Sequence, residues 1–227
     1  MASTVMASLR LSPRPADAGF SLVELLLAAA LGLCLSGVML QSLLSDGQTN
    51  QRISRLQRER ANQRRTLELV RSDVERAVAV SAHPENAASA CGWAGRKPVL
   101  HLQLDGGGSI SYSVGTAPSG IWRGQVLMRC GPAFDVLGQL SASGNPQNRV
   151  VTDGLAKPEV AWTGCQGLVP GAEELNGTGQ EGFAACLDPA RQLLALRLYQ
   201  VFGPAPASGS GSAPRQRISA EATAAPG

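Results

Sequence analysis

The sequence predicts an α+β fold: a long N-terminal helix, half membrane span and half amphipathic, packed on an antiparallel β-sheet head. Three observations carry that prediction. Gly19 to Leu44 is an apolar run, uncharged from Leu25 to Ser45, close to the ~20 residues a helix needs to cross a bilayer. A proline-free stretch rich in Gln, Arg, Glu and Leu follows, to about Ala82, and these are strong helix formers. From Val99 the apolar period changes to alternation around a glycine-rich turn, the mark of strands rather than helix.

Residues 1–19 are polar and weakly basic, with Arg10, Pro13, Arg14 and Pro15, and have no apolar stretch with which to pack. Residues 20–45 form the transmembrane half of the helix. The chain beyond Leu44 reads SDGQTNQ, without the small-residue pattern at which a secretory signal is cut, so the span reads as a retained anchor. Residues 46–82 form the second half. There Ile53, Leu56, Leu67, Val70, Val74 and Val78 recur mainly at spacings of three and four, which lays one apolar face along a helix. Gly47 is its weak point. Pro84 stops it, because the residue before a proline is pushed out of helical geometry.

Residues 83–202 form a β-rich head. VLHLQL, DGGGS and ISYSV (Val99–Val114) read as a hairpin. Further strand candidates are Gly124–Arg129, Arg149–Thr152, Glu159–Thr163 and Leu193–Phe202. Between the last two lies Gly164–Arg191, rich in Gly and Glu, which needs a staple to stay ordered. Residues 203–227 turn to Pro, Ala, Ser and Gly and read as a disordered tail.

Of five cysteines, Cys34 lies inside the apolar run as a small filler, and Cys91, Cys130, Cys165 and Cys186 lie beyond it. An even set beyond a membrane segment reads as two disulfides in an oxidising compartment. Four cysteines allow three pairings, and sequence alone does not choose among them. Cys91–Cys130 with Cys165–Cys186 closes two loops of moderate length and is our choice. No CxxC pair is present, so a zinc knuckle is not expected.

Gly19-Phe20-Ser21-Leu22-Val23-Glu24-Leu25 resembles the processing site of type IV prepilins and of type II secretion pseudopilins. Leu67–Val78, SGIWRGQ (Ser119–Gln125) and VTDGLAKPEVAW (Val151–Trp162) are similar to PilW-type minor pilins and GspJ-type pseudopilins. The resemblance implies the pilin fold, and a prepilin peptidase that cuts after Gly19, removes residues 1–19 as a leader peptide and methylates Phe20. It further implies a cytoplasmic N-terminus, a periplasmic head, and storage in the inner membrane before extraction by an assembly platform into a filament of major and minor pilins. This chain departs from the family where Asp17-Ala18 stand before the glycine in place of Lys or Arg. Counted alone, Arg10 and Arg14 against the later arginines would put the N-terminus outside; the resemblance and the cysteines point the other way.

Glu24 carries the sharpest expectation. An unpaired carboxylate beside an apolar run is costly, whereas a paired one costs much less. The new amine of Phe20 on a neighbouring subunit can supply the partner and thereby set subunit register. The acid also lies near a helix N-terminus, where the macrodipole favours it. Gly19 suits a peptidase cleft because it has no Cβ.

Arg52, Arg55, Arg58, Arg60, Arg64, Arg65 and Arg71 crowd one segment and read as a solvated helix face, with Glu59 and Glu68 as intrahelical partners. No aromatic interleaves with them, so a nucleic-acid partner has no support. His83 and His101 are the only histidines, and Asp105-Gly106-Gly107-Gly108 lacks the Lys-Ser/Thr of a phosphate loop. No enzyme, metal or cofactor is expected. The expected role is a structural filament subunit that helps prime assembly. A pilus-displayed binding module (adhesin or DNA receptor) and an unprocessed bitopic membrane-anchored protein are the alternatives.

Overall fold

The computed structural model describes residues 21–141, 145–203 and 216–227. Residues 1–19, expected to be a leader, and Phe20 lie outside them. The chain divides into two compact units between Arg55 and Leu56.

Helix α1 spans Leu22–Glu75, with Glu24 in its first turn. In the first unit, Leu22–Ser42 has no buried residue. The backbone stays helical through Gly47; one glycine costs a helix only about 1 kcal/mol, too little to break a proline-free stretch of this length. In the second unit the helix turns one face inward. Leu67, Val70 and Val74 are buried, and so are Gln63, Thr66 and Asp73, while Ile53, to the N-terminal side, is exposed.

The helix ends sooner than the sequence suggests. Residues assigned to its amphipathic half up to Ala82 instead form β1, Ala77–Val80. Alternating Ala and Val suit a strand as well as a helix, and β2 offers an edge to pair with. Ala77 stands opposite Leu104 and Val80 opposite Leu102, and the Ser81 amide donates to His101 O. Pairing satisfies the backbone and leaves Val78 exposed.

Seven further strands complete the head up to Phe202: β2 (Lys97–Leu104), β3 (Ser109–Thr116), β4 (Gln125–Gly131), β5 (Gln147–Leu155), β6 (Glu173–Glu174), β7 (Phe183–Asp188) and β8 (Leu193–Phe202). The final strand, β9, is Gln216–Ala224. Among the described residues they make one antiparallel sheet in the order β1-β2-β3-β4-β5-β8-β7-β6, with β9 on the other side of β8. The β2–β3 hairpin turns through Gly106 and Gly107, both at positive φ, which is why glycines stand there. Two parts of the sheet meet at one pair, Leu155 opposite Gln200.

Two more expectations need correction. Glu159–Thr163 forms no strand. Its buried Trp162 takes a separate path, its amide donating to Gly179 O and its indole to Glu221. Residues 216–224, read as part of a disordered tail, pair along their length with β8. Ile218 and Ala224 are buried and Ala220 and Ala222 pack against the core, an alternation muted because its residues are small.

The main core joins Leu67, Val70 and Val74 of α1 to Leu100, Leu102, Ile110, Tyr112, Leu127, Phe183, Leu194, Leu196 and Leu198 of the sheet. A second cluster on the other side of β7 and β8 gathers Ala184, Cys186 and Ala195 under Trp162, Cys165, Val169 and Ala172. Short helix α2, Cys165–Leu168, belongs to that cover. Two disulfides are present, Cys91–Cys130 and Cys165–Cys186. The first ties a loop to β4, and the second ties the start of α2 to β7. Closing loops of 39 and 21 residues contributes about 3–4 kcal/mol each in the chain-entropy account.

Candidate functional site

The candidate site is the N-terminal segment of α1. Leu22, Leu25, Leu26, Leu27, Leu31, Leu35 and Leu40 each expose more than half their surface, so the apolar side chains surround the helix on every side. Leu22–Ser42 has a mean hydropathy of 2.2, long and apolar enough to cross a membrane. Its polar side chains are economical: the Ser36 hydroxyl donates to Gly32 O within the helix, removing a donor from the surroundings. Ser21 O accepts the Leu25 amide, opening the first turn. Glu24 sits in that turn, where unsatisfied amide groups favour negative charge. Gly19 and Phe20 lie outside the described residues, so Glu24 alone of these three is placed.

In the head, polar chemistry concentrates at one buried point. Asp73 is fully buried, with Arg129 and Tyr112 beside it. Tyr112 Oη donates to Asp73 Oδ2 at 2.6 Å, Arg129 Nε donates to the same oxygen at 2.6 Å, and Nη2 donates to Oδ1 at 3.2 Å. Arg129 Nη1 donates to Pro132 O, and the guanidinium lies over the Phe134 ring. Burial, then the Asp73 charge, pushes the Tyr112 hydroxyl well above its ordinary pKa. Burial alone would lower Arg129, but its bonds to Asp73 outweigh this and raise it. The cluster is a carboxylate–guanidinium pair whose bonding groups face inward. It binds the helix to β3 and β4.

The other singled-out residues disperse. His83 is exposed beside Glu85. His101 is buried against Ser111, and burial lowers its pKa. Arg71 pairs with Glu75, and Glu59 pairs with Arg123 of the head, where Glu59 and Glu68 were expected to serve the helix arginines. Cys34 is free and exposed. Among the described residues no group of three or more His, Cys, Asp or Glu is arranged to hold a metal ion.

Sequence reasoning missed the Asp73–Arg129–Tyr112 cluster. Asp73 stands in RSDVER, among charges that read as solvated. The available signal was its position: Asp73 sits three residues after Val70 and beside Val74, on the predicted apolar face.

No protein-family model, curated protein or solved structure matches this chain.

Proposed function

We propose that this chain is a structural subunit of a type IV pilus or related filament, a minor pilin or pseudopilin that helps prime assembly. The observation that carries the reading is Glu24 in the first turn of α1, at the start of the apolar segment Leu22–Ser42, which has no buried residue, five positions after Gly19. A bare apolar helix needs either lipid or other helices around it. A filament subunit uses both in turn: lipid during storage, neighbouring subunits after extraction. Two disulfides in the head accord with an oxidising compartment such as the periplasm. On this reading the partners are the prepilin peptidase, an inner-membrane assembly platform and other pilins.

Intact mass of the protein from its native host tests the proposal. The expected product lacks residues 1–19 and carries one methyl group on Phe20. An unprocessed N-terminus would leave a single-pass anchor and end the filament reading. A second measurement addresses the acid itself. Glu24→Ala is expected to be cut and membrane-inserted normally but to enter filaments poorly, because the Phe20 amine of a neighbour loses its partner. Normal incorporation of that variant would remove the register role.

A further inference from the structure

Among the described residues, strand β5 has one long side without a neighbour. Its inner edge pairs with β4 from Gln147 to Leu155, but on its outer edge only Leu155 is paired, with Gln200. Gln200 Nε2 also donates to Asp153 O, closing that end. From Gln147 to Val151 the outer edge therefore has no strand partner among the described residues. Backbone groups on such an edge are a template for another strand.

A groove runs beside this edge. Hollows of about 370 and 310 Å³ share Leu69 of α1 and Val151 of β5 in their walls, one reaching Trp122 and the other Phe134. The groove's unsatisfied charge is positive. Arg65 and Arg149 line it, are exposed and form no salt bridge among the described residues. The nearby acids are occupied: Asp153 accepts from the Arg123 amide and Nε, and Glu59 also pairs with Arg123. A strand edge beside apolar walls, with two free guanidinium groups, has the parts of a strand-addition site. Main-chain bonds supply affinity there, and alternate side chains supply selectivity.

We propose that the open edge of β5 and the adjoining groove dock an extended segment of a partner protein in which apolar and acidic residues alternate. The apolar residues cover Leu69 and Val151, and the acidic ones meet Arg65 and Arg149. The proposal is independent of the filament reading, since it requires neither cleavage at Gly19 nor Glu24.

The test uses the full chain in neutral-lipid nanodiscs and short fluorescent peptides. One peptide alternates valine with glutamate, a second alternates valine with lysine, and a third repeats the first with a central proline. The glutamate peptide is expected to bind about tenfold more tightly than the lysine peptide and to slow hydrogen exchange in residues 147–151. The proline peptide, lacking a backbone donor, is expected to lose that protection. Arg65→Glu with Arg149→Glu, both surface changes, should reverse the charge preference while leaving thermal unfolding unchanged. Binding no stronger than to empty nanodiscs overturns the proposal. So does equal affinity for both charges, protection outside β5, or protection of residues 147–151 before any peptide is added, which would mean the chain or a second copy already fills the edge.

Discussion

The two halves of α1 share one backbone and one sequence of helix-forming residues, yet they differ in what surrounds them. Leu22–Ser42 is the more apolar and has no buried residue. The stretch from Gln63 to Glu75 is far more polar, yet it buries Leu67, Val70 and Val74 together with Gln63, Thr66 and Asp73. Hydropathy alone would rank the first half as the core and the second as the surface. Burial follows the available partner instead. The sheet offers the second half leucines for its leucine and valines, Ile218 O for Gln63 Nε2, and Arg129 and Tyr112 for Asp73. Glu24 apart, the first half offers mainly apolar side chains and a Ser36 hydroxyl already bonded within the helix, a surface long and apolar enough for a bilayer.

The contrast can be broken most forcefully at Asp73. Asp73→Ala leaves the Arg129 charge buried without its partner, and removing one member of a buried pair costs about 3–5 kcal/mol. Denaturant unfolding of the head should show this loss, with membrane fractionation unchanged. Replacing Asp73 and Arg129 together by leucine and methionine should cost much less than the two single losses summed, because no bare charge remains. A strictly additive result would show that the pair is not coupled.

A charge in the first half should have the converse effect. Leu31→Arg places a guanidinium near the middle of the span, where insertion costs about 3 kcal/mol. The variant should leave the membrane fraction while the unfolding midpoint of the head stays in place. A shift in that midpoint instead would contradict the division of labour.

The smallest effect concerns pH and sharpens the comparison within the head. Burial lowers the pKa of His101 below its ordinary value of 6.5, so the unfolded chain binds a proton more readily than the folded one. Stability is therefore full above that ordinary value and declines as pH falls from it toward the lowered folded value. His101→Gln should flatten the decline in a series of thermal melts. An unchanged slope would assign the pH dependence to other groups.

What could be read from the sequence was what is repeated locally. The helix announces itself through spacing, the β2–β3 hairpin through alternation about three glycines, and β8 through a Leu193–Phe202 run interrupted only at Arg197 and Gln200. Strand β7, FAACLD, was hidden because it is buried on both faces and so shows no alternation. Strand β9 was hidden because alanines on its inner face contrast little with Ser219 and Thr223. The early end of α1 was hidden because Ala77–Val80 satisfies either geometry, and only its pairing with β2, where Ala77 meets Leu104 and Val80 meets Leu102, decides between them. Of the candidate site, the apolar run and its acid were legible. The Asp73 cluster was not, since a buried acid and a solvated one are spelled alike until Arg129 and Tyr112 are brought to it.

That cluster acts most strongly on structures that do not form. Turning the helix by one residue moves a side chain about 100° around the axis, which would carry Asp73 away from Tyr112 and strand Arg129 in an apolar setting. A leucine in place of Asp73 would tolerate such slippage, because one greasy contact substitutes for another. The carboxylate tolerates none, so the head accepts this helix at a single rotational setting, as a keyway accepts a key.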